Sequence, residues 1–105
     1  MAFKHISVAE VREKLTSNEL VIADIRDPNS FATGHIPGAM HLTNANIAQF
    51  MQEKEFDDMI VIVCYHGISS QGAAGYLVEQ GFENVYSMDG GFTQWASECA
   101  DCIER

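Results

Sequence analysis

The chain has few basic residues, few cysteines and no long apolar run. Six Lys and Arg stand against fifteen Asp and Glu in 105 residues, which gives a formal net charge of −9. Nucleic-acid-binding proteins present basic surfaces to phosphates, so this balance excludes a nucleic-acid partner. The longest apolar run, Met59–Cys64, falls well short of the roughly 18 residues that a membrane span requires. No membrane partner is therefore expected.

The sequence also lacks the marks of secretion and of metal binding. Its first residues contain one Lys and no apolar segment like that of a signal peptide, so we expect a cytoplasmic protein. The three cysteines are Cys64, Cys99 and Cys102, an odd number that does not indicate a disulfide framework. Structural zinc sites use four ligands, and no second pair accompanies Cys99 and Cys102. The sequence thus predicts neither a metal nor a cofactor.

What the chain does contain is an alternation of strand and helix patterns. A capping box at Ser7–Glu10 starts a helix, Asp27-Pro28 starts a short one, and Asn44 or Asn46 caps another. Strands are predicted at Leu20–Ile25, Ala39–Leu42, Met59–Cys64 and Asn84–Met88. Helices are predicted at Ser70–Gln80 and around Phe92 and Trp95, and we interpret these two aromatic residues as core residues. With a fifth strand to which the pattern gives no range, these short strands and their crossover helices predict one α/β domain over residues 1–105, with helices on both faces of the sheet.

The segment from Cys64 to Ser70 carries the candidate chemistry. It joins a buried strand to a helix N-terminus, where free backbone N–H groups and the helix dipole attract negative charge. Gly67 lets such a loop curl so that its amides point inward. A Cys at its mouth would be held as a thiolate or as a persulfide anion. The alternative is that Cys64 is a small buried residue that ends a core strand.

Four motifs in order resemble the rhodanese family, and within it the single-domain thiosulfate sulfurtransferases. They are D-I-R-D at positions 24–27, G-H-I-P-G-A at positions 34–39, the Cys64 loop, and D-G-G-F at positions 89–92 followed by Trp95. The resemblance covers about residues 5–97 and leaves a short C-terminal tail. It implies a three-layer α/β/α fold around a five-stranded parallel sheet in the order 3-2-4-5-1.

The resemblance also implies an activity and a site. Cys64 would take the sulfane sulfur of thiosulfate as a persulfide and pass it to cyanide or to a thiol acceptor, thioredoxin among them. The alternative function is a sulfur-carrier or sensing module that receives sulfur from a protein persulfide donor. The substrate-binding residues would be those of the loop: Tyr65, His66, Gly67, Ile68, Ser69 and Ser70.

The loop departs from the wider family in its charge. Many rhodaneses carry Arg or Lys inside the loop, whereas this chain has Ser69 and Ser70 there and Gln71 where similar members often have Lys. Anion attraction must then come from backbone amides, the helix terminus and His66. Cysteine phosphatases place an Arg six residues after the Cys to clamp the oxyanion, and Ser70 occupies that position with no Arg nearby in the sequence. The pattern therefore disfavours a phosphatase.

Four other features have structural and functional interpretations. We expect Asp24 and Arg26 to order loops by an ion pair, and His35 to fix its loop by hydrogen bonds. His66 could equally tune the thiolate or be a solvated loop residue. The pair Cys99 and Cys102 is interpreted as incidental, in a polar terminal segment that tolerates thiols.

Overall fold

The computed structural model describes residues 2–17 and 19–105; Met1 and Asn18, which the predicted domain includes, lie outside the described residues. The strands are β1 (Lys4–Ile6), β2 (Leu20–Asp24), β3 (Met40–His41), β4 (Met59–Val63) and β5 (Asn84–Met88). The helices are α1 (Val8–Lys14), α2 (Pro28–Thr33), α3 (Ile47–Glu53), α4 (Ser69–Glu79) and α5 (Gly91–Glu98), with a 3-10 turn at Leu15–Ser17.

The five strands form one parallel sheet in the order β1-β5-β4-β2-β3. This confirms the predicted sheet and the order that the resemblance implied. The residue pattern did not locate β1 by range. Only Ile6 of its three residues is buried, because β1 is an edge strand, and so no apolar run marks it.

Helices cover both faces of the sheet, which confirms the three-layer architecture. Along β4, Val61 and Val63 contribute to one apolar cluster with residues of α1 and α5. Ile60 and Ile62 contribute to the other, with residues of α3 and α4. In a central parallel strand that is buried on both faces, the side chains on both faces lie in the core, which explains the continuous apolar sequence of β4.

Two predicted helix starts are confirmed at the level of hydrogen bonds. The Glu10 amide donates to the Ser7 hydroxyl at 3.1 Å, and the Ser7 amide donates to the Glu10 carboxylate at 3.1 Å. Asp27 caps α2 by accepting from the Ser30 amide at 3.1 Å. Each cap satisfies an N–H group that has no partner inside its helix.

The prediction that Asn44 or Asn46 caps α3 is confirmed for the position of Asn46 and wrong for the capping hydrogen bond. Asn46 occupies the N-cap position but makes no capping hydrogen bond. Its side chain accepts from the Thr43 amide at 2.8 Å and donates to the His41 carbonyl at 2.9 Å. Asn46 therefore fixes the turn between β3 and α3, because these backbone groups compete successfully for its amide.

The predicted boundaries differ from the structure by one or two residues. Strand β4 ends at Val63 and not at Cys64, since the Cys64 carbonyl accepts from the Phe92 amide at 2.8 Å and so leaves the sheet. Helix α4 begins at Ser69, one residue before the predicted start at Ser70. Among the residues that the structure describes, no helix is both long and apolar enough to cross a membrane.

Candidate active site

Cys64 lies at the carboxyl end of the central strand β4, where ligands of parallel sheets bind. Its side chain is 3% exposed, at the floor of the loop that leads into α4. The Gly67 amide donates to Sγ at 3.1 Å and the Ser70 amide donates at 3.3 Å. Backbone N–H groups thus converge on the sulfur as the helix-terminus argument predicted.

A second helix turns the loop carbonyls away from the sulfur. Helix α5 donates from its first turn, through Phe92 N to Cys64 O at 2.8 Å and through Thr93 N to Tyr65 O at 3.0 Å. The Cys64 and Tyr65 carbonyls therefore point at α5, whereas the Gly67 and Ser70 amides point at Sγ. The loop is held between the N-termini of α4 and α5, which directs positive partial charge to both of its sides.

This close approach of two backbones requires glycine. Gly91 has φ +61°, and a Cβ there would lie 2.4 Å from the carbonyl carbon and oxygen of Tyr65. Gly67 has φ +84°, and a Cβ there would lie 2.9 Å from the backbone nitrogen of Gly90. Any larger residue at either position would push the loop off the turn that leads into α5.

Two buried hydroxyls extend the contacts of the sulfur. Ser70 Oγ lies 3.2 Å from Cys64 Sγ and 2.7 Å from Ser87 Oγ, and neither serine side chain reaches solvent. When Cys64 is a thiolate, the Ser70 hydroxyl donates to it and the Ser87 hydroxyl donates to Ser70. The sequence prediction missed Ser87; the available signal was a polar residue between Tyr86 and Met88 within the predicted strand.

The hydrogen bonds to Cys64 lower the pKa of its thiol. Burial is the largest single influence and by itself raises the pKa of the thiol. The Ser70 hydroxyl and the amides of Ser70, Gly67 and His66 act in the opposite direction and together outweigh burial, so that the pKa of Cys64 is lowered. A larger fraction of Cys64 is therefore present as the thiolate, which is the nucleophilic form, than for an unperturbed cysteine at the same pH.

Replacing Ser70 by Ala is expected to raise the pKa of Cys64 again, because the hydroxyl and its bond to the thiolate are lost while the Ser70 amide remains. Hydrogen bonds to charged groups are worth about 1.5–3 kcal/mol, so alkylation of Cys64 below its new pKa should slow roughly tenfold. The measurement is the iodoacetamide rate at Cys64 against pH. The matched control is Ser69→Ala, whose exposed side chain should leave that profile in place. An unshifted profile in the Ser70 variant would contradict this assignment.

The remaining predicted site residues form the rim. The Tyr65 hydroxyl contacts the Asp27 carboxylate and lies 2.8 Å from Ser30 Oγ, so the ring is tied to the start of α2. His66 contributes its amide toward the sulfur, but its side chain is exposed. The side chains of Ile68, which is 74% exposed, and of Ser69 point to solvent. The structure therefore gathers Gly67, Ser70 and the His66 amide around Cys64 and leaves the other side chains outside.

An arginine approaches the loop from a distant part of the chain, which the sequence prediction missed. The Arg26 guanidinium lies 4.0 Å from the Phe92 ring centroid and 5.9 Å from that of Tyr65. It donates to both carboxylate oxygens of Asp24, at 3.0 and 2.8 Å, and to the Gly34 carbonyl at 2.6 Å. The predicted loop-ordering ion pair is confirmed, and its cation is already neutralised by Asp24.

Two further predictions concern buried side chains. His35 Nδ1 lies 2.8 Å from the Phe31 carbonyl, which confirms that this histidine fixes its loop. Trp95 is completely buried, as predicted for a core residue. Phe92 is only partly buried: it packs against the core cluster, and the Arg26 guanidinium lies 4.0 Å from its ring centroid.

Glu98, Asp101 and Glu104 are exposed, as expected of a polar terminal segment, but Cys99 is not a thiol that such a segment merely tolerates. Cys99 is 3% exposed and belongs to the core cluster of α1 and α5, against which Cys102 and Ile103 pack. The Trp95 indole donates to the Cys102 carbonyl at 2.8 Å, and the backbones of His35 and Glu104 exchange hydrogen bonds of 2.9 and 2.8 Å. The segment is held because the buried indole N–H needs an acceptor and Cys102 supplies it.

Sequence comparison places these features among known proteins. The chain matches the family described as "Rhodanese-like domain" over residues 7–98. It is 68% identical over 105 residues, 100% of both chains, to the protein named thiosulfate sulfurtransferase GlpE from Pseudoalteromonas translucida. It is 53% identical over 94 residues to the protein of that name from Shewanella oneidensis, which covers 90% of this chain and 93% of the relative.

The fold is also found among solved structures. The crystal structure of a rhodanese-like domain protein from Staphylococcus aureus superposes with a TM-score of 0.81 at 27% sequence identity. The match covers 97% of each chain. The fold is therefore shared along nearly the whole length of both chains.

Proposed function

Because the chain belongs to the family of rhodanese-like domains, we propose that it is a thiosulfate sulfurtransferase that carries sulfur as a persulfide on Cys64. The observation that carries the proposal is the ring of donors on Sγ, formed by the Gly67 and Ser70 amides and the Ser70 hydroxyl. These donors favour a thiolate before transfer and suit the anionic persulfide after it. We take residues 1–105 as one such domain.

The reaction has two displacements. The Cys64 thiolate attacks the sulfane sulfur of thiosulfate, a new S–S bond forms, and the old S–S bond breaks with its electron pair leaving on sulfite. Cyanide or a thiolate then attacks the outer sulfur, and Cys64 leaves as the thiolate that began the cycle. Splitting the transfer into two steps is covalent catalysis, and the same donors stabilise the nucleophile and the leaving group.

Thiosulfate is captured without a dedicated cation. The loop contains no Arg or Lys, and Arg26 is paired with Asp24. Gln71, in the first turn of α4, donates through Nε2 to the Gly67 carbonyl at 2.8 Å and so braces the loop instead of contributing charge. Attraction for a dianion therefore comes from the N-terminus of α4 and the amides that converge on Sγ.

The direct test is to incubate the purified chain with thiosulfate and measure its intact mass. A species heavier by one sulfur atom, lost on addition of cyanide with release of thiocyanate, is the expected result. Steady-state thiosulfate:cyanide turnover should accompany it. A chain that gains no sulfur and shows no turnover would contradict the proposal.

A second function is favoured by the apolar rim of the site. Tyr65 and Ile68 are 42% and 74% exposed beside a loop that lacks a cation, a surface better suited to a protein than to a free dianion. In this case the chain is a sulfur carrier or sensor loaded by a protein persulfide. Comparing turnover on thiosulfate with turnover on a persulfide donor separates the two functions. For the sulfurtransferase, we propose in addition that thiols such as thioredoxin accept the sulfur and that the protein is located in the cytoplasm.

Replacing Gln71 by Lys is expected to lower the KM for thiosulfate a few-fold and to change kcat little. A partly exposed cation near the site is worth roughly 0.5–1 kcal/mol, and it acts on capture of the dianion more than on sulfur removal. The measurement is KM at low and high ionic strength, since screening should remove the advantage. Gln71→Met, which also loses the bond to the Gly67 carbonyl but adds no charge, is the control. An unchanged KM at low salt would show that the helix terminus already saturates anion binding.

A further inference from the structure

The two cysteines near the C-terminus occupy the first and last positions of a hydrogen-bonded turn. The Cys102 amide donates to the Cys99 carbonyl at 2.8 Å. In a turn closed by this i to i+3 bond, the outer Cα atoms lie less than about 7 Å apart. That separation is within the range spanned by disulfides. Both side chains also pack against the same apolar cluster, so they lie on one side of the turn.

The environment gives the two sulfurs different access. Cys99 is 3% exposed, whereas Cys102 is partly exposed, so only Cys102 can be reached by a molecule from solution. Asp101, which lies between them, holds the Arg12 guanidinium by two hydrogen bonds of 3.0 and 2.6 Å. The turn between the two cysteines is thereby joined to helix α1, which carries Arg12.

We propose that Cys99 and Cys102 form a redox-active dithiol that closes to a disulfide by exchange with a low-molecular-weight disulfide. Neither residue takes part in sulfur transfer at Cys64. Cys64 lies at the N-terminal end of α5 and Cys99 follows its C-terminal end, and an eight-residue helix is about 12 Å long. The pair is therefore a second sulfur site, and it does not depend on the proposed sulfurtransferase activity.

The exchange proceeds in two steps that balance. The Cys102 thiolate attacks one sulfur of the small disulfide, forms a mixed disulfide and releases one small thiolate. The Cys99 thiolate then attacks the Cys102 sulfur, forms the Cys99–Cys102 bond and releases the second small thiolate. The protein is oxidised by two electrons, the small disulfide is reduced to two thiols, and the two protons lost by the cysteines end on those thiols.

Closure would fasten the segment that follows the turn. Ile103 lies close to Gly34: a Cβ added to Gly34 would be 3.0 Å from Ile103 Cγ2. The next residue, Glu104, pairs with His35 through backbone hydrogen bonds. Residues 34 and 35 belong to the loop whose Gly34 carbonyl accepts from Arg26. The disulfide would thus fix one end of the segment Ile103–Glu104, which packs on the loop beside the active site.

The test uses the full chain carrying Cys64→Ser, so that only this pair of thiols remains. The protein is equilibrated in mixtures of reduced and oxidised glutathione, quenched in acid, alkylated and weighed. We expect both thiols to disappear together, with the loss of two hydrogens and no bound glutathione. The fluorescence of Trp95, the one tryptophan of the chain, should change in the same transition and recover with dithiothreitol.

Two single variants in that background assign the roles. Cys99→Ala should accumulate one glutathione on Cys102, because no resolving thiol remains, and Cys102→Ala should leave the buried Cys99 unmodified. Accumulation of glutathione adducts on the chain with both cysteines, a disulfide between two chains, or two free thiols in the most oxidising mixture would each overturn the proposal.

Discussion

Replacing Cys64 by Ser is expected to abolish sulfur transfer, with turnover of thiosulfate and cyanide falling at least about a thousandfold. A serine hydroxyl is not ionised at neutral pH and cannot hold sulfur as a persulfide. The fold should survive, because the residue is small and the Gly67 and Ser70 amides can donate to an oxygen as they do to Sγ. The measurements are turnover, the mass gain with thiosulfate, and the thermal midpoint of unfolding.

The matched control removes the other two thiols. The double variant Cys99→Ala with Cys102→Ala should keep turnover close to that of the parent chain, because both residues lie beyond the far end of α5. Its stability should fall somewhat, since Cys99 fills part of the core. Substantial turnover in the Cys64 variant would remove Cys64 from the mechanism. Loss of turnover in the double variant would connect the second sulfur site to the first.

Replacing Gly91 by Ala is expected to disrupt the Cys64 loop strongly. At φ +61° an alanine is strained by roughly 1–2 kcal/mol, and its Cβ would stand 2.4 Å from the Tyr65 carbonyl group and 2.5 Å from the His66 nitrogen. These are backbone atoms that cannot rotate away. We expect the free energy of unfolding to fall by about 3 kcal/mol or more, from strain and overpacking together. Turnover should fall with it, because the displaced backbone is that of the Cys64 loop.

Gly38 provides the control for strain alone. Its φ is +82°, but a Cβ there would meet no atom within 4 Å. Gly38→Ala should therefore cost roughly 1 kcal/mol and leave turnover unchanged. Thermal and urea unfolding of the two variants give the comparison. An equal loss of stability in Gly91→Ala and Gly38→Ala would contradict the close contact between α5 and the Cys64 loop.

The sequence was sufficient for features that depend on neighbours along the chain. The capping box at Ser7 and the cap at Asp27 are local hydrogen-bond patterns, and both are present. The apolar run of β4 indicated a strand buried on both faces, because no helix-covered parallel strand can keep a polar side. The order of strand, Cys, Gly and helix also predicted that backbone amides of the loop point at Cys64, and the Gly67 and Ser70 amides do so.

Features that depend on distant segments were missed. Strand β1 is identified by its pairing with β5, since its exposed residues carry no apolar pattern. Ser87 joins the site only because β5 lies beside β4, and Arg26 reaches the loop only because it stacks on Phe92. Cys99 is buried in the core, and the Trp95 indole holds the Cys102 backbone against it by a hydrogen bond between residues seven apart.

The sequence by itself thus determined the alternation of strands and helices, their caps, and the candidate nucleophile Cys64. Tertiary structure alone decided what surrounds that nucleophile. The carbonyls of the loop are turned outward by the N-terminus of α5, which begins some 27 residues after Cys64 along the chain. Periodicity and capping report interactions within a turn or two, whereas this contact exists only once the sheet has brought both segments together.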